Sequence, residues 1–199
     1  MLTAGPTYEA IDPVRFIGNH SSGKMWFALA EIFYEKGADV FLVTGPTAEK
    51  TMYKGIHITN VKSALEMYDA SIKIFKDADV AVMSAAVADY TPAKIAEEKI
   101  KKKTSEFSLS LVKTKDILQT LGEKKKKKQW LIGFALETNN EKEYALNKLK
   151  NKNADMIVLN SLNDPGAGFG HNTNKITIFD KAGNEYQFDT KSKTAIAED

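Results

Sequence analysis

The sequence predicts an α/β fold: a mostly parallel sheet with helices on both faces, finished by a C-terminal β-hairpin. Three observations carry that prediction. Short apolar runs alternate with stretches of helical periodicity, the order from which a parallel sheet with crossover helices is built. Two strand-like segments near the C-terminus, Asn174 to Phe179 and Glu185 to Phe188, are joined through Gly183-Asn184, as a hairpin requires. At 199 residues and 43% hydrophobic content, residues 1–199 fit a single domain with a real core.

Each element follows in turn. Leu2-Thr3-Ala4 is a short first strand before the turn at Gly5-Pro6. Ser22 to Lys36 reads as a helix capped by serine and closed by Gly37. Asp39 to Thr44 is a buried strand ending at Gly45-Pro46, and Ile56 to Thr59 is another. A helix over Ser63 to Lys76 leads into a central strand, Asp79 to Met83, which runs into Ser84-Ala85-Ala86-Val87-Ala88-Asp89-Tyr90. Residues 94–106 form a lysine-rich flap, weakly patterned and expected to be mobile. Phe107 to Leu111 alternates like a strand, and Asp116 caps a short helix. Trp130 to Phe134 is a strand, Glu141 to Asn151 a helix, and Asp155 to Leu159 the last strand before a glycine-rich loop. A final helix is expected to start at Thr190.

Composition narrows the function. The formal net charge is +2, and the lysines are not interleaved with aromatics, so nucleic acid is not the expected partner. With no cysteine, disulfides, thiolate nucleophiles and cysteine-based metal sites are excluded. No stretch is long and apolar enough to cross a bilayer, and no signal pattern opens the chain, so a cytoplasmic protein is expected.

The richest segment is Asp12-Pro13-Val14-Arg15-Phe16-Ile17-Gly18-Asn19-His20-Ser21-Ser22-Gly23-Lys24. Arg15 is the only arginine among 28 basic residues, which suggests a need for the planar guanidinium fork that grips a carboxylate or phosphate. Ser21-Ser22-Gly23-Lys24 reads as a helix start whose free N–H groups and lysine attract an anion. Gly18 to Lys24 matches most of a P-loop, but Met25 stands where magnesium needs a hydroxyl, so a Walker-type NTPase is rejected. Asn19 is open to two readings, an oxyanion donor or a turn residue. Tyr90 and Lys94 have the spacing of a dehydrogenase pair, but Pro92 between them breaks the helix that pair needs. The Ser84 to Asp89 segment leaves a central strand at the end where open α/β sheets bind ligands. There Asp89 is suited to ribose hydroxyls or a metal-phosphate, or to capping a helix. Lys124 to Lys128 reads as a solvated loop, Gly166 to Gly170 as a closing loop or simple turn, and His20, His57 and His171 are too scattered for a metal site.

Several long motifs occur together and in order. They are T-A-G-P-T at Thr3, D-P-V-R-F-I-G-N-H-S-S-G-K-M at Asp12, A-A-V-A-D-Y at Ala85, E-K-I-K-K at Glu98, L-V-K-T-K-D-I-L at Leu111, G-F-A-L-E-T-N-N at Gly133 and K-N-A-D at Lys152. In these the chain closely resembles phosphopantothenate–cysteine ligases of coenzyme A biosynthesis, over nearly its whole length.

The resemblance implies a Rossmann-like domain, a homodimer, and a two-step reaction with CTP and Mg2+. The 4'-phosphopantothenate carboxylate attacks the α-phosphate of CTP, giving an acyl-cytidylate and pyrophosphate; the amine of cysteine then displaces CMP. By matching position, Asn19 and Lys99 are catalytic. Met83, Ser84, Ala85, Asp89, Lys99, Lys115, Asp116, Ile117, Leu118, Phe134, Lys148 and Lys152 hold the nucleotide, with Asp89 also the candidate for magnesium. Arg15, Asn19, Ser21, Ser22, Gly23, Lys24 and Ala86 are the implied substrate residues. ATP in place of CTP, or a nucleotide-binding module that has lost catalysis, are the alternatives. Two departures stand out: Trp26 replaces the family's glycine and Lys115 its proline. The resemblance also implies fusion behind a flavin-dependent decarboxylase, or else a stand-alone ligase.

Overall fold

A computed structural model describes residues 1–102, 105–161, 163 and 171–199. The strands are β1 (Leu2–Ala4), β2 (Tyr8–Ala10), β3 (Phe16–Gly18), β4 (Phe41–Thr44), β5 (His57–Asn60), β6 (Val80–Met83), β7 (Tyr90–Pro92), β8 (Leu111–Lys113), β9 (Trp130–Glu137), β10 (Met156–Ser161), β11 (Thr173–Asp180) and β12 (Glu185–Ser192). The helices are α1 (Lys24–Glu35), α2 (Ala64–Phe75), α3 (Ile117–Lys124), α4 (Glu141–Asn151) and α5 (Lys193–Glu198).

Among the described residues the main sheet has eight strands in the order β12-β11-β10-β9-β6-β1-β4-β5. The six from β10 to β5 are parallel, and β11 and β12 join antiparallel, so the expected α/β fold with its terminal hairpin is what forms. Alternate residues feed opposite cores, as the two-residue period of a strand dictates. Val43, Ala81, Met83, Leu131 and Ile157 pack with Met67 of α2, Leu121 of α3 and Leu149 of α4. Leu42, Val82 and Val158 face the other way, onto Met25, Phe27 and Ala30 of α1 and Ile196 of α5.

The chain winds outward from β1 in one direction to β5, then returns to β6 on the other side of β1. That reversal opens a crevice at the carboxyl ends of β1 and β6, where such sheets bind ligands. The backbone there is interlocked. Gly45 donates to the Ala4 carbonyl at 2.9 Å, Ala86 to Gly5 at 2.9 Å, and Thr7 to Ala86 at 3.3 Å. Gly5 takes a left-handed φ of 70°, and a Cβ on Gly45 would lie 1.7 Å from the Pro6 carbonyl oxygen.

Several expectations need correction. The serines do not cap α1: Gly23, at φ 87°, holds the cap position, and no side chain bonds the first turn. Phe107 is exposed and outside any strand; pairing begins only at Leu111, where β8 meets β7. The last helix starts at Lys193 because β12 runs on through Thr190 to Ser192. Lys125 is no solvated loop residue, since it pairs with buried Asp155 at 2.8 Å. The helix boundary at Glu141, the start of a helix at Ser63, the Asp116 cap and the Gly37 terminus match the sequence reading. Gly166 to Gly170 lies outside the described residues.

Replacing Gly45 by alanine forces a methyl group into the Pro6 carbonyl. The expected cost is about 1–3 kcal/mol of unfolding free energy, read from urea denaturation; an unchanged midpoint would refute the close approach.

Candidate functional site

At the carboxyl end of β6 a cleft of about 600 Å³ opens between four elements. Met83, Ala85 and Asp89 enter from the end of β6 and the loop beyond it. Lys115, Asp116, Ile117 and Leu118 come from the start of α3, Phe134 from β9, Lys148 from α4 and Lys152 from its C-terminal cap. Ten of the implied nucleotide residues, distant in sequence, therefore meet on one surface. Six further residues complete it: Thr3, Val87, Tyr90, Lys113, Thr114 and Gln119.

The electrostatics of the cleft follow from burial. Lys148 is deeply enclosed and donates to the Phe134 carbonyl at 2.8 Å. Burial lowers its pKa, and Glu137, Asp116 and Asp89 offset part of that effect. Lys152 sits four residues on, on the same helix face, and bridges Asp116 at 2.8 Å and Gln119 at 3.1 Å. For Asp116, burial alone would raise the pKa; the Gln119 N–H and the Lys152 ammonium outweigh it and bring it below the ordinary carboxylate value. The start of α3 thus offers a fixed carboxylate and two lysines beside small-residue backbone, a surface for a polyanion with a polar ring.

The two departures from the resemblance have structural accounts. Trp26 is buried and packs edge-on against Phe134, ring centroids 4.9 Å apart, bracing the cleft wall from beneath. Lys115 extends over the ring of Tyr68 on α2, 4.6 Å from its centroid.

Two expected residues do not reach the cleft in the anticipated way. Ser84 spends its hydroxyl on the Thr3 carbonyl at 2.7 Å and its N–H on the Thr3 hydroxyl at 3.1 Å, so it locks β6 to β1. Lys99 is exposed and does not line the cleft.

The implied substrate residues divide. Asn19 lies beside the crevice, its carboxamide donating to the Ala86 carbonyl at 2.9 Å, so Asn19 and Ala86 are brought together. Ser21, Ser22, Gly23 and Lys24 do not line the cleft. The Ser22 carbonyl accepts from the Thr47 hydroxyl at 2.7 Å, and Lys24 donates to Asn172 at 2.9 Å. Arg15 does not present a free fork. Its Nε is 3.0 Å from Asp12, and Nη2 bonds both Asp12 and the Ile100 carbonyl, the latter at 2.8 Å. The turn that makes this pair was legible: an aspartate two and three residues before the N–H groups it accepts is an Asx turn. Tyr90 lies in β7 and not in a helix, in keeping with rejection of the dehydrogenase pairing.

The family model described as the DNA/pantothenate metabolism flavoprotein C-terminal domain matches residues 1–199. The chain belongs to that family. It is 52% identical over 198 residues to a "Cysteine/Cysteine sulfinic acid decarboxylase" from an unknown prokaryotic organism, and 44% identical over 197 residues to the "Coenzyme A biosynthesis bifunctional protein CoaBC" of Bacillus subtilis (strain 168). Those matches take in 100% and 99% of this chain but 55% and 48% of the two relatives, so the chain spans about half the length of the curated relatives it matches. Among solved structures, the C-terminal domain of CoaBC superposes with a TM-score of 0.83 at 42% identity, covering 98% of this chain and 88% of that one. The DNA/pantothenate metabolism flavoprotein of Streptococcus pneumoniae follows with a TM-score of 0.82 at 25% identity, covering 99% and 93%.

The lowered pKa of Lys148 gives this flavoprotein-family cleft a pH signature. As pH rises, that ammonium loses its charge before an ordinary lysine does, and attraction for an anion falls. Calorimetric titration with inorganic triphosphate is expected to show affinity declining in that alkaline range, while Lys148→Arg keeps it level; parallel profiles would refute the assignment.

Proposed function

We propose that the chain is the ligase part of a coenzyme A biosynthesis protein, joining 4'-phosphopantothenate to cysteine at the expense of CTP. The observation that carries this reading is the convergence of ten nucleotide-site residues on one cleft at the topological crevice. The similarity to CoaBC supports the substrates. The half-length matches to curated relatives support a chain that works beside a decarboxylase domain. A cytoplasmic setting goes with this reading.

In the first step a carboxylate oxygen of 4'-phosphopantothenate forms a bond to the α-phosphorus of CTP, and the bond to the leaving pyrophosphate breaks. In the second, the amine nitrogen of cysteine bonds to the acyl carbon, CMP leaves, and the amine loses a proton. Neither step needs an enzyme nucleophile, so the protein's part is positioning and charge neutralisation. Lys148 and Lys152 hold negative charge, Asp116 and the backbone at Met83 and Ala85 orient the base and sugar, and Phe134 forms the wall. Asn19, held beside the crevice by donation to the carbonyls of Ala86 at 2.9 Å and Val87 at 3.5 Å, stabilises the acyl-cytidylate as cysteine attacks. Lys99 reaches the phosphates from its exposed segment.

Magnesium fits this donor set in one way only. Among the described residues no group of three or more histidines, cysteines, aspartates or glutamates gathers to cage a metal. Mg2+ is commonly held by one or two carboxylates together with substrate phosphates, and Asp89 can supply that single carboxylate. Bound there, the ion would neutralise phosphate charge.

A second copy of the chain fits the β2–β3 and β7–β8 hairpins, where Val14, Phe16, Tyr90, Leu111 and Val112 are all exposed. Light scattering is expected to give a dimer, and Phe16→Asp a monomer; a wild-type monomer would refute the assembly.

The direct test omits cysteine and measures pyrophosphate with magnesium, 4'-phosphopantothenate and either CTP or ATP. Release with CTP alone is expected. Release with ATP alone would keep the chemistry and overturn the base, and silence with both, from folded dimer, would favour a binding module. In the same assay Asn19→Asp should release pyrophosphate yet accumulate the acyl-cytidylate, whereas Lys99→Gln should lose release by about 100-fold. Normal turnover in either variant would overturn that residue's role.

A further inference from the structure

Asp12 and Arg15 tie down a segment of chain 85 residues away. The Asp12 side chain is fully buried, and both its oxygens are spent. Oδ1 accepts the N–H groups of Val14 at 2.8 Å and Arg15 at 2.9 Å. Oδ2 accepts Arg15 Nε and Nη2 and the N–H of Ile100, the last at 3.1 Å. Arg15 Nη2 continues to the Ile100 carbonyl at 2.8 Å. One residue of the lysine-rich segment is therefore held through both its N–H and its C=O. Four residues upstream Ala96 donates to the Ile11 carbonyl at 3.0 Å, a second tether onto the same turn. Between these tethers lies Lys99. The segment expected to be mobile is fixed at the residue next to its functional lysine.

The chemistry explains why this one position carries the chain's only arginine. A single planar group must satisfy a buried carboxylate through Nε and Nη2 while the same Nη2 meets a carbonyl beyond it. Lysine, with one compact ammonium on a flexible stem, cannot span both in a fixed geometry. The Arg15 guanidinium, with the Val14, Ile100 and Arg15 N–H groups, holds the Asp12 carboxyl well below the usual carboxylate range, so the latch stays charged at every working pH. Lysine side chains lose considerable rotamer freedom when they engage a ligand, and a backbone that is already fixed removes part of the ordering from that step.

We propose that Asp12 and Arg15 are positioning residues for Lys99, latching Ile100 so that the lysine acts on the nucleotide phosphates from a fixed backbone. This rests on the role assigned to Lys99 above. It replaces the expectation that Arg15 grips substrate directly, because the fork is already engaged within the chain.

Arg15→Lys is the informative variant, since Arg15 is half-exposed and its loss need not unfold the domain; Asp12→Asn, at a buried site, serves as a second. Amide hydrogen exchange at Ile100 reads the latch without reference to activity. In Arg15→Lys it is expected to accelerate by about 10-fold or more while core amides of β6 and β9 keep their protection. In the pyrophosphate assay, kcat is expected to fall by about 10- to 100-fold with the KM for CTP and for 4'-phosphopantothenate nearly unchanged. In a Lys99→Gln background the same substitution should add little, because two residues acting through one group are not additive. Unaltered exchange at Ile100 would overturn the latch. Losses that multiply in the double variant, or a raised KM for 4'-phosphopantothenate, would overturn the positioning role and return Arg15 to substrate contact. If Lys99→Gln alone keeps full pyrophosphate release, the role of Lys99 falls and the positioning role with it. Faster exchange in Arg15→Lys would then show that the latch itself is real.

Discussion

The backbone junction at the carboxyl ends of β1, β4 and β6 is the constraint on which the remaining structure depends. Three strands and their following loops meet there with almost no side chain between them. Gly45 presses on the Pro6 carbonyl, Gly5 sits at positive φ, and Ala86 exchanges bonds with Gly5 and Thr7. The side chains that remain are small hydroxyls turned inward: Thr3 onto Ser84 and Ala85, and Thr7 onto Ala88. A larger residue at any of these points would part the strands and move the loop that carries Asp89. The functional loop is thus positioned by hydrogen-bond geometry and by the absence of bulk.

That arrangement explains why some of the site was legible in the sequence and some was not. Strand positions such as Val80–Met83 and residues 156–159 declare themselves through continuous apolar character, and Asp116 declares a helix start because capping is a local interaction. The cleft residues on α3, β9 and α4 were accessible through motif resemblance, and the fold brings them together. The β2–β3 and β7–β8 pairings were missed, since strands of three residues are too short to show a clear alternation. The inward turn of the Ser84 hydroxyl onto the Thr3 carbonyl was not legible either: a serine at a strand end looks the same whether it faces a ligand or a neighbouring carbonyl. Nothing local distinguishes the two.

Arg15 illustrates the same limit from the other side. Its uniqueness correctly signalled a demand for guanidinium geometry, but the sequence could not say whether the carboxylate it meets belongs to a ligand or to the chain. The structure answers with Asp12, three residues away, and with a backbone carbonyl 85 residues away. A short-range pair has been turned into a long-range tether.

Charge in the cleft obeys a related economy. Enclosing Lys148 works against its own charge, and no stability argument favours placing an ammonium there. The cost is moderated by three carboxylates, Glu137, Asp116 and Asp89, which oppose the effect of burial. Asp116 is in turn kept ionised by Lys152 and by the N–H it caps at the start of α3. Each charge therefore makes the next one tolerable. The rigid wall beside them, Phe134 braced edge-on by Trp26, keeps these groups from relaxing toward water. Trp26 consequently belongs to the support of the cleft. A polyanion entering this cleft meets lysines whose burial has already been offset, which is the preorganisation that lets fixed charges act without rearranging.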